Sequence, residues 1–322
     1  KMKILITGVA GFIGSKLAKN FLDANYNIYG IDNLNDYYDV KLKLYRLNNL
    51  KKYKKFQFIK VDISNTLKLK SYLKDKKIDI ICHLAAQAGV RYSLINPRVY
   101  AQSNINGFLE ILEYCRFNPK TKLVYASSSS VYGGNKKIPF SVADDVSYPV
   151  SLYAATKRAN ELMAESYSKL FSIKIIGLRF FTVYGPWGRP DMAIWQFTDA
   201  ISQNRPINLF HKGILKRDFT YIDDIVEGIK SAIFYKNKSK IAYHKIFNLG
   251  NNKPISVNKI VTLLEKLLNK KAKKKFMPMQ LGDVKNTFAN IDESKKYLRF
   301  NPTTKIEKGL ESFVNWFKIY NK

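Results

Sequence analysis

Short apolar runs alternate with longer amphipathic segments along the first half of the chain. The runs have the length of β-strands, and the segments between them, such as 12–23 and 99–116, repeat apolar residues at the spacing of an α-helix. Strands that alternate with helices build a parallel sheet that is covered by helices on both faces. The pattern therefore predicts a doubly wound α/β fold, with strands at KILIT, NIYGID, FQFIKVD, IDIICHLA and KLVYASS.

The pattern changes after a sixth strand-length run, SIKIIGLRF, which follows a long predicted helix over 151–170. From about Gly185 onward, proline and glycine mark frequent turns and the predicted elements are shorter. We therefore predict a Rossmann domain over residues 1–184, to which 218–250 returns, and a smaller C-terminal α/β lobe that covers mainly 185–322.

A glycine-rich turn, GVAGFIG, joins the first strand to the first helix. Gly8 permits a tight turn, Gly11 lets the backbone approach a pyrophosphate, and Gly14 lets the helix pack closely on the sheet. Asp32 ends the second strand, where a carboxylate can accept hydrogen bonds from both ribose hydroxyls. Together these positions predict dinucleotide binding. NAD is preferred to NADP because Asp32 repels a 2′-phosphate and no arginine follows it directly.

Tyr153 and Lys157 are four residues apart in SLYAATKRANE and so share one face of a predicted helix. A phenol ordinarily ionises near pH 10, which is too high for a base at neutral pH. A lysine ammonium one turn away, together with the positive charge of an oxidised nicotinamide, favours the phenolate. Because the pair follows a dinucleotide turn and a strand that ends in four serines, Ser127 to Ser130, we predict a catalytic base and its electrostatic partner.

The chain is strongly basic, since 55 Lys and Arg against 25 Asp and Glu give a net charge of +30. Only 10 of the 55 are arginine, and lysine tracts such as KKYKK and KKAKKK lack the interleaved aromatic residues of a nucleic-acid stacking surface. We interpret them as a solvated surface and predict no specific nucleic-acid partner, although the charge also suits an anionic substrate.

Cysteine and histidine are sparse and scattered. The two cysteines, Cys82 and Cys115, form no pairing pattern, which favours a reducing cytoplasm. The three histidines have no cysteine or carboxylate at ligand spacing, so we predict no metal site. No run approaches the roughly 18–20 apolar residues that cross a bilayer, and we expect neither secretion nor membrane association.

Four motifs together resemble the extended short-chain dehydrogenase/reductase family, in its nucleotide-sugar branch: GVAGFIG, YASSSSVYG, YAATK and LRFFTVYGP. The likeness runs from Lys3 to about Trp316. It implies that Ser128 is the family's catalytic serine, with Tyr153 as base and Lys157 as its partner and ribose anchor. The resemblance also implies an NAD site that comprises Gly8, Gly11, Phe12, Ile13, Gly14, Asp32, Asn33, Asp62, Ile63, Leu84, Ala85, Ala86, Asn104, Ser127, Tyr153, Lys157 and Phe180.

Within this site the resemblance assigns individual roles. Asp62 and Ile63 meet the adenine, Phe180 lies near the nicotinamide, and Ser127 faces the cofactor. In this branch of the family the tyrosine removes the proton of a sugar 4-hydroxyl while a hydride passes from C4 to the nicotinamide, which gives a 4-keto sugar.

The residues after Ser128 predict what happens to that ketone. Relatives that eliminate water carry an Asp-Glu pair where this chain has Ser129 and Ser130, and decarboxylating relatives often keep the glutamate. Removal of a proton at C5, or control of a leaving group, needs such an acid or base. With hydroxyls alone at these positions, the remaining outcome is return of the hydride to the other face of C4, which is epimerisation.

Two stretches, AAQAGVRYS over 85–93 and FFTVYGPWGRPDMA over 180–193, closely resemble UDP-glucuronate 4-epimerases. We therefore expect Arg189, Thr182 and Ser129 to bind a C6 carboxylate through charge-assisted hydrogen bonds. The alternative is that Arg189 pairs with Asp191 within its own loop. The resemblance also implies a UDP site in which Arg91 and Arg217 bind the diphosphate, Asn208 and Phe210 contact uracil, and Asp283 meets the ribose. Leu281 departs from the PGDV sequence of the relatives, which weakens the assignment of Asp283.

The leading prediction is an NAD-dependent UDP-glucuronate 4-epimerase that acts in polysaccharide biosynthesis. The alternatives are a 4-epimerase of neutral UDP-hexoses or their N-acetyl forms, and a UDP-uronate decarboxylase or nucleotide-sugar dehydratase. A further alternative is a cofactor-binding module without catalysis whose basic surface holds an acidic polymer or nucleic acid. The resemblance also implies a homodimer that pairs the helices over 99–116 and 151–170.

Overall fold

The computed structural model describes residues 2–237, 242–278 and 286–321. Its strands are β1 (Lys3–Thr7), β2 (Asn27–Asp32), β3 (Phe56–Lys60), β4 (Ile80–His83), β5 (Lys122–Ser128), β6 (Lys174–Phe180), β7 (Thr182–Tyr184), β8 (Pro206–Phe210), β9 (Lys216–Arg217), β10 (Phe219–Tyr221), β11 (Tyr243–Leu249), β12 (Ile255–Ser256), β13 (Lys273–Met277) and β14 (Asn286–Thr287). Its helices are α1 (Phe12–Asp23), α2 (Val40–Lys51), α3 (Thr66–Leu73), α4 (Tyr92–Ile95), α5 (Pro97–Tyr100), α6 (Gly107–Phe117), α7 (Leu152–Phe171), α8 (Ala193–Ser202), α9 (Ile222–Phe234), α10 (Val257–Leu268), α11 (Asp292–Leu298) and α12 (Ile306–Tyr320).

The central sheet of the described chain has seven parallel strands in the order β11-β6-β5-β4-β1-β2-β3. The chain builds β1 to β3 outward in one direction and then crosses back to place β4 on the other side of β1. This confirms the predicted doubly wound fold. In such a sheet the strand order reverses between β1 and β4, and ligands bind at the carboxyl ends of the strands near that point.

The strands of the sheet are apolar on both faces because helices cover both. Ile4 and Ile6 of β1 pack into one core with α1 and α9, whereas Leu5 packs into a second core with α3 and α6. Such a strand reads as a continuous apolar run and not as an alternating one. A third core lies among α8, α10 and α12, where Phe197, Leu264 and Phe313 are buried together.

The segment 218–250 contributes α9 and β11 to the first core, and β11 is an outer strand of the sheet. The remaining short strands pair in small sheets, β12-β9-β14, β13-β8 and β10-β7. The limits proposed for the two lobes stay a prediction. Among the described residues, no helix is both long enough and apolar enough to pass through a bilayer.

The predicted helix over 99–116 differs from the structure. Here α5 ends at Tyr100, a π-helical turn follows over Ala101–Asn106, and α6 begins at Gly107. A sequence pattern with the regular helical period carries no signal for such a turn. The predicted helix over 151–170 agrees closely with α7, which Ser151 caps by accepting a hydrogen bond from Ala154 N at 3.1 Å.

Candidate active site

One cavity of about 800 Å³ runs along the carboxyl ends of the central strands and continues toward the C-terminal elements. It is large enough for a ligand of the size of a dinucleotide together with part of a second molecule. The residues assigned to the site from the sequence that line this cavity are Gly8, Gly11, Phe12, Ile13, Gly14, Asp32, Asn33, Asp62, Ile63, Leu84, Ala85, Ala86, Arg91, Ser127, Ser128, Ser129, Tyr153, Lys157, Phe180, Thr182, Arg189 and Arg217.

The glycine turn is shaped by close backbone contacts. Gly8 has φ +70°, and a Cβ there would lie 2.8 Å from Ala85 N. A Cβ on Gly14 would lie 2.2 Å from the carbonyl oxygen of Gly8, so α1 can begin this close to the turn only with glycine at that position. Because no side chain caps the start of α1, its first backbone N–H groups are left for an anion.

Asp32 lies at the end of β2 and is buried. Its carboxylate accepts hydrogen bonds from Ala10 N at 3.0 Å and Leu34 N at 2.9 Å, while burial raises its pKa. Farther along the same wall, Asp62 accepts hydrogen bonds from Asn33 and Ser64. Burial alone would raise the pKa of Asp62, but these hydrogen bonds lower it overall. Both carboxylates are therefore fixed acceptors at one end of the cavity.

Asn104 differs from its predicted place on the cavity wall. It is buried in the π-helical turn, where its amide accepts a hydrogen bond from Gln87 N and donates to Gln87 O and to the Thr156 hydroxyl. The side chain therefore lies behind the loop that follows β4. Its contacts tie that loop, whose residues Leu84 to Ala86 do line the cavity, to helix α7.

Tyr153 and Lys157 lie on the first turns of α7, and both face the cavity. Lys157 is buried and donates a hydrogen bond to Ala126 O at 2.8 Å, and burial lowers its pKa to about 8. Burial raises the pKa of Tyr153, whereas the Ser128 hydroxyl and the positive charge of Arg189 oppose that rise. The phenol is thus surrounded by groups that stabilise its ionised form.

The four serines at the end of β5 have different surroundings. Ser128 accepts a hydrogen bond from Ser130 N at 3.2 Å and donates to the Ser130 hydroxyl at 3.1 Å, which starts a 3-10 turn over Ser129–Tyr132. Ser127 differs from its prediction, because its hydroxyl donates to Glu161 at 2.7 Å and not toward the cofactor side. Its backbone alone therefore remains for the cavity.

Glu161 is the centre of a buried network that the sequence did not indicate. It accepts two hydrogen bonds from Arg179 of β6, at 2.8 and 2.9 Å, and one from Arg158 at 3.1 Å. Burial would raise the pKa of Glu161, but the hydrogen bonds and charge of Arg179 hold it below its usual value. The sequence feature that could have indicated Glu161 is its position one helical turn after Lys157.

Arg189 lies beside Tyr153 on the loop after β7 and is paired with Asp191, the alternative that the sequence left open. The pair is bidentate, since Arg189 Nε donates to Oδ1 at 3.0 Å and Nη2 donates to Oδ2 at 2.5 Å. These bonds use one edge of the guanidinium. The Nη1 nitrogen is not part of the pair, so the arginine still has a donor for a ligand in the cavity.

The sequence matches the model of the NAD dependent epimerase/dehydratase family over residues 4–250. The chain belongs to this family. The sequences of related proteins align with nearly the whole length of this chain. An uncharacterized protein of Methanocaldococcus jannaschii is 54% identical over 98% of this chain and 95% of its own. UDP-glucuronate 4-epimerase 3 of Arabidopsis thaliana is 44% identical over 98% of this chain and 76% of its own.

A crystal structure is also similar, that of UDP-glucuronic acid 4-epimerase from Bacillus cereus in complex with UDP-glucuronic acid and NAD. It matches with a TM-score of 0.91 and 37% identity, over 99% of this chain and 100% of that chain. The resemblance to the nucleotide-sugar branch of the extended short-chain dehydrogenase/reductases is thereby confirmed.

Asn208 and Phe210, which were expected to bind uracil, do not line the cavity. Asn208 is exposed because β8 turns Ile207 and Leu209 into the core, and the residue between them then faces outward. The Phe210 ring lies under the Arg91 guanidinium at 4.9 Å, close to the cavity wall that Arg91 forms. Asp283 lies outside the described residues.

Within the described ranges, this family member has no group of three or more His, Cys, Asp or Glu side chains that could hold a metal ion. His83 is buried with its Nδ1 2.8 Å from the Thr7 hydroxyl, and burial lowers its pKa to about 3. It is therefore a neutral core residue. The Thr7 hydroxyl also accepts a hydrogen bond from Ala85 N at 3.2 Å, which fixes the wall beside the glycine turn.

Proposed function

We propose that the protein is an NAD-dependent UDP-glucuronate 4-epimerase, which interconverts UDP-glucuronate and UDP-galacturonate without net oxidation. The observation that carries the proposal is that Tyr153, Lys157, Ser128 and the cation Arg189 line one cavity, where Ser128 and Arg189 both favour the ionised form of Tyr153. Support also comes from the UDP-glucuronate 4-epimerases of Arabidopsis thaliana and Bacillus cereus, which match nearly all of this chain.

The cavity suits NAD at the end near β1 and β2. Gly8 and Gly14 let the turn and the start of α1 lie close to the sheet, and the uncapped N–H groups of α1 would then bind the pyrophosphate. Asp32 would accept the ribose hydroxyls and repel a 2′-phosphate. Asp62 and Ile63 would border the adenine, and Lys157 and Phe180 the nicotinamide half.

The chemistry needs one proton carrier at the sugar. When bound, NAD accepts a hydride from C4 and later returns it. Tyr153 Oη removes the proton of the 4-hydroxyl in the first half and gives a proton back in the second. Lys157 and Arg189 would favour the phenolate by their positive charges, and the Ser128 hydroxyl would turn from Ser130 to donate to the same oxygen.

The surroundings of C5 favour epimerisation over elimination or decarboxylation. The acids that line the described cavity are Asp32, Asp62 and Asp191. The first two lie at the cofactor end, and Asp191 is engaged by Arg189. Ser129 and Ser130 occupy the strand end where a base for C5 would be needed, so the ketone takes hydride back on its other face.

A uronate is the sugar that this pocket suits best. Arg189 Nη1, with the hydroxyls of Thr182 and Ser129, would bind the C6 carboxylate by charge-assisted hydrogen bonds. The oxidised intermediate is a β-keto acid, which loses carbon dioxide easily. Holding its carboxylate in the plane that disfavours cleavage of C5–C6 would preserve it. Arg91 and Arg217 line the same cavity and would neutralise the diphosphate.

The test is an NMR assay of the purified protein with NAD and a panel of UDP-sugars. We expect UDP-glucuronate to yield its galacturonate epimer. Absence of that epimer would contradict the proposal. Release of carbon dioxide or a stable 4-keto product would indicate a lyase, and turnover of UDP-galactose that is insensitive to Arg189→Ala would indicate a neutral-sugar epimerase.

We further propose a homodimer that pairs α6 and α7 with their copies. These neighbouring helices expose Leu109, Phe117, Leu162 and Leu170, of which Phe117 is 71% and Leu170 70% exposed. Light scattering of Leu162→Glu should show monomers, whereas Leu67→Glu, on α3, should stay dimeric; a monomeric parent protein would contradict the proposal.

The buried, unpaired thiols of Cys82 and Cys115 suit a cytoplasmic protein.

A further inference from the structure

The loop after β2 contacts the loop that carries Arg189, and both loops line the cavity. The Tyr37 hydroxyl donates a hydrogen bond to Asp191 Oδ2 at 3.1 Å, the same oxygen that accepts from Arg189 Nη2. Tyr37 and Asp191 are far apart in the chain. The bond between them therefore connects the Arg189–Asp191 pair to the segment that follows Asp32, the aspartate proposed to bind the cofactor. Arg189 and Asp191, which are only two residues apart, are thus bonded to a second segment, the loop after β2.

Arg46 of α2 makes a second connection between the same regions. Its Nη1 donates to Ala10 O in the glycine turn at 3.2 Å and to the Tyr38 hydroxyl at 2.7 Å. Its Nη2 donates to Trp187 O at 2.5 Å and Gly188 O at 2.9 Å, directly before Arg189. Because Arg46 is only 3% exposed, these bonds form out of solvent, where such contacts are strong.

The surroundings of Tyr37 are built around its hydroxyl. A Cβ on Gly89, which has φ +100°, would lie 2.6 Å from the Tyr37 oxygen, so a glycine there leaves room for it. The Tyr37 ring packs on Tyr92 with centroids 4.8 Å apart. Burial and the charge of Asp191 raise the pKa of Tyr37 to about 12, so the hydroxyl remains a donor throughout the neutral range.

From these contacts we propose that Tyr37 and Arg46 are positioning residues that hold Arg189 for the sugar carboxylate and thereby set the preference for acidic sugars. This rests on the function proposed above. Arg189 and Asp191 are each about one quarter exposed, with side chains 23% and 27% accessible. A pair of this exposure, left to itself, holds its geometry weakly. The Tyr37 bond fixes Asp191, and the Arg46 bonds fix the backbone from which Arg189 extends.

The effect is specific for a carboxylate. In the proposed complex the pyrophosphate and uridine would lie toward Arg91 and Arg217, whereas the Tyr37 hydroxyl bonds to the Arg189–Asp191 pair. Loss of the Tyr37 hydroxyl should therefore weaken a UDP-uronate but leave UDP itself bound equally well. A general loss of structure would weaken both ligands together.

The test uses Tyr37→Phe in the inert Tyr153→Phe protein, so that binding is measured without turnover. Calorimetry with saturating NAD gives the Kd for UDP-glucuronate and for UDP. We expect the Kd for UDP-glucuronate to rise about 5- to 10-fold, the usual size of one lost hydrogen bond, and that for UDP to change less than twofold. Tyr45→Phe, which removes the hydroxyl of a half-exposed tyrosine on α2, is the matched control and should change neither.

Equal effects on the two ligands, or no effect on either, would overturn the proposal. The dependence of this effect on Arg189 is checked in Arg189→Ala protein. There Tyr37→Phe should cause no further rise in the Kd for UDP-glucuronate. A rise as large as that in the protein that retains Arg189 would also argue against the proposal. Arg46→Met should reproduce the selective loss if thermal unfolding shows that it stays folded. The function proposed above is tested separately by turnover of the parent protein, so either claim can fail without the other.

Discussion

Ser127 donates its hydroxyl proton to Glu161 across 2.7 Å, and both side chains are almost completely buried. Glu161 lies on the same helix as Tyr153 and Lys157, and Arg179 binds it from β6. The helix that presents Tyr153, the proposed base, is therefore fixed to the sheet by charged hydrogen bonds next to Ser128. The position of Tyr153 depends on these contacts as well as on apolar packing.

Replacing Glu161 by Gln should destabilise the protein by about 3 kcal/mol, because it leaves the buried Arg179 guanidinium without its counter-charge. The free energy of unfolding in urea measures the effect. Glu311→Gln, which breaks an exposed pair with Lys308, should cost less than about 0.5 kcal/mol. Equal stability of the two variants would mean that the buried pair contributes nothing.

Tyr153→Phe should lower kcat by about 10²- to 10⁴-fold, the range of general acid–base contributions. Its Kd for UDP-glucuronate should stay within a few-fold of the parent value, because the phenol meets only the 4-hydroxyl. Single-turnover kinetics and calorimetry on the same preparation measure both quantities. A variant that keeps most of its activity would exclude Tyr153 as the proton carrier.

Lys157 should give activity and stability opposite responses to alkaline pH. Burial lowers its pKa from 10.5 to about 8, so the ammonium that we propose to support the Tyr153 phenolate is lost above about pH 8, and kcat should fall there. Since the folded protein loses this proton before the unfolded chain does, the Lys157 contribution to stability increases from about pH 8 to 10.5.

The pH profile of Lys157→Arg checks this assignment. Arginine keeps its charge throughout this range, so the alkaline limb should move to higher pH even though the rate is lower. An alkaline limb in the same place in both proteins would assign it to another group. Urea titrations from pH 7 to 10 on the parent protein measure the accompanying change in stability.

Asp32→Asn should weaken NAD and reduce the discrimination against NADP. Loss of the charged acceptor removes hydrogen bonds worth roughly 1.5–3 kcal/mol, or about 10- to 100-fold in Kd, and removes the repulsion of the 2′-phosphate. Fluorescence titration with both dinucleotides gives the ratio of the two Kd values. A ratio identical to that of the parent protein would show that Asp32 does not select the cofactor.

The sequence predicted correctly which residues lie at the ends of regular elements or share one helical face. Gly8, Gly14 and Asp32 lie within or at the ends of regular elements, and parallel strands bring such ends to one edge of the sheet. The four-residue spacing of Tyr153 and Lys157 places both on one face of α7 for the same kind of reason. The doubly wound fold itself follows from the alternation of strands and helices.

Side-chain direction was harder to predict. Ser127 and Ser128 are adjacent in a strand and so point to opposite faces, but the sequence does not say which one meets the cavity. Asn104 turns inward within a π-helical turn that the apolar period does not reveal. The bonds from Arg46 to the carbonyls of Trp187 and Gly188 join segments that only the packed tertiary structure brings together.

The pairing of β11 with β6 also has a consequence for synthesis of the protein. All seven residues of β6, Lys174 to Phe180, pair with β11, which the ribosome makes only after β7 to β10, α8 and α9. At ~5–20 residues per second this takes several seconds, during which β6 is an open sheet edge with apolar side chains on both faces. The nascent sheet therefore has an unpaired edge that is open to aggregation until β11 has been made, about three quarters of the way along the chain, and a product truncated near residue 184 would retain that edge permanently.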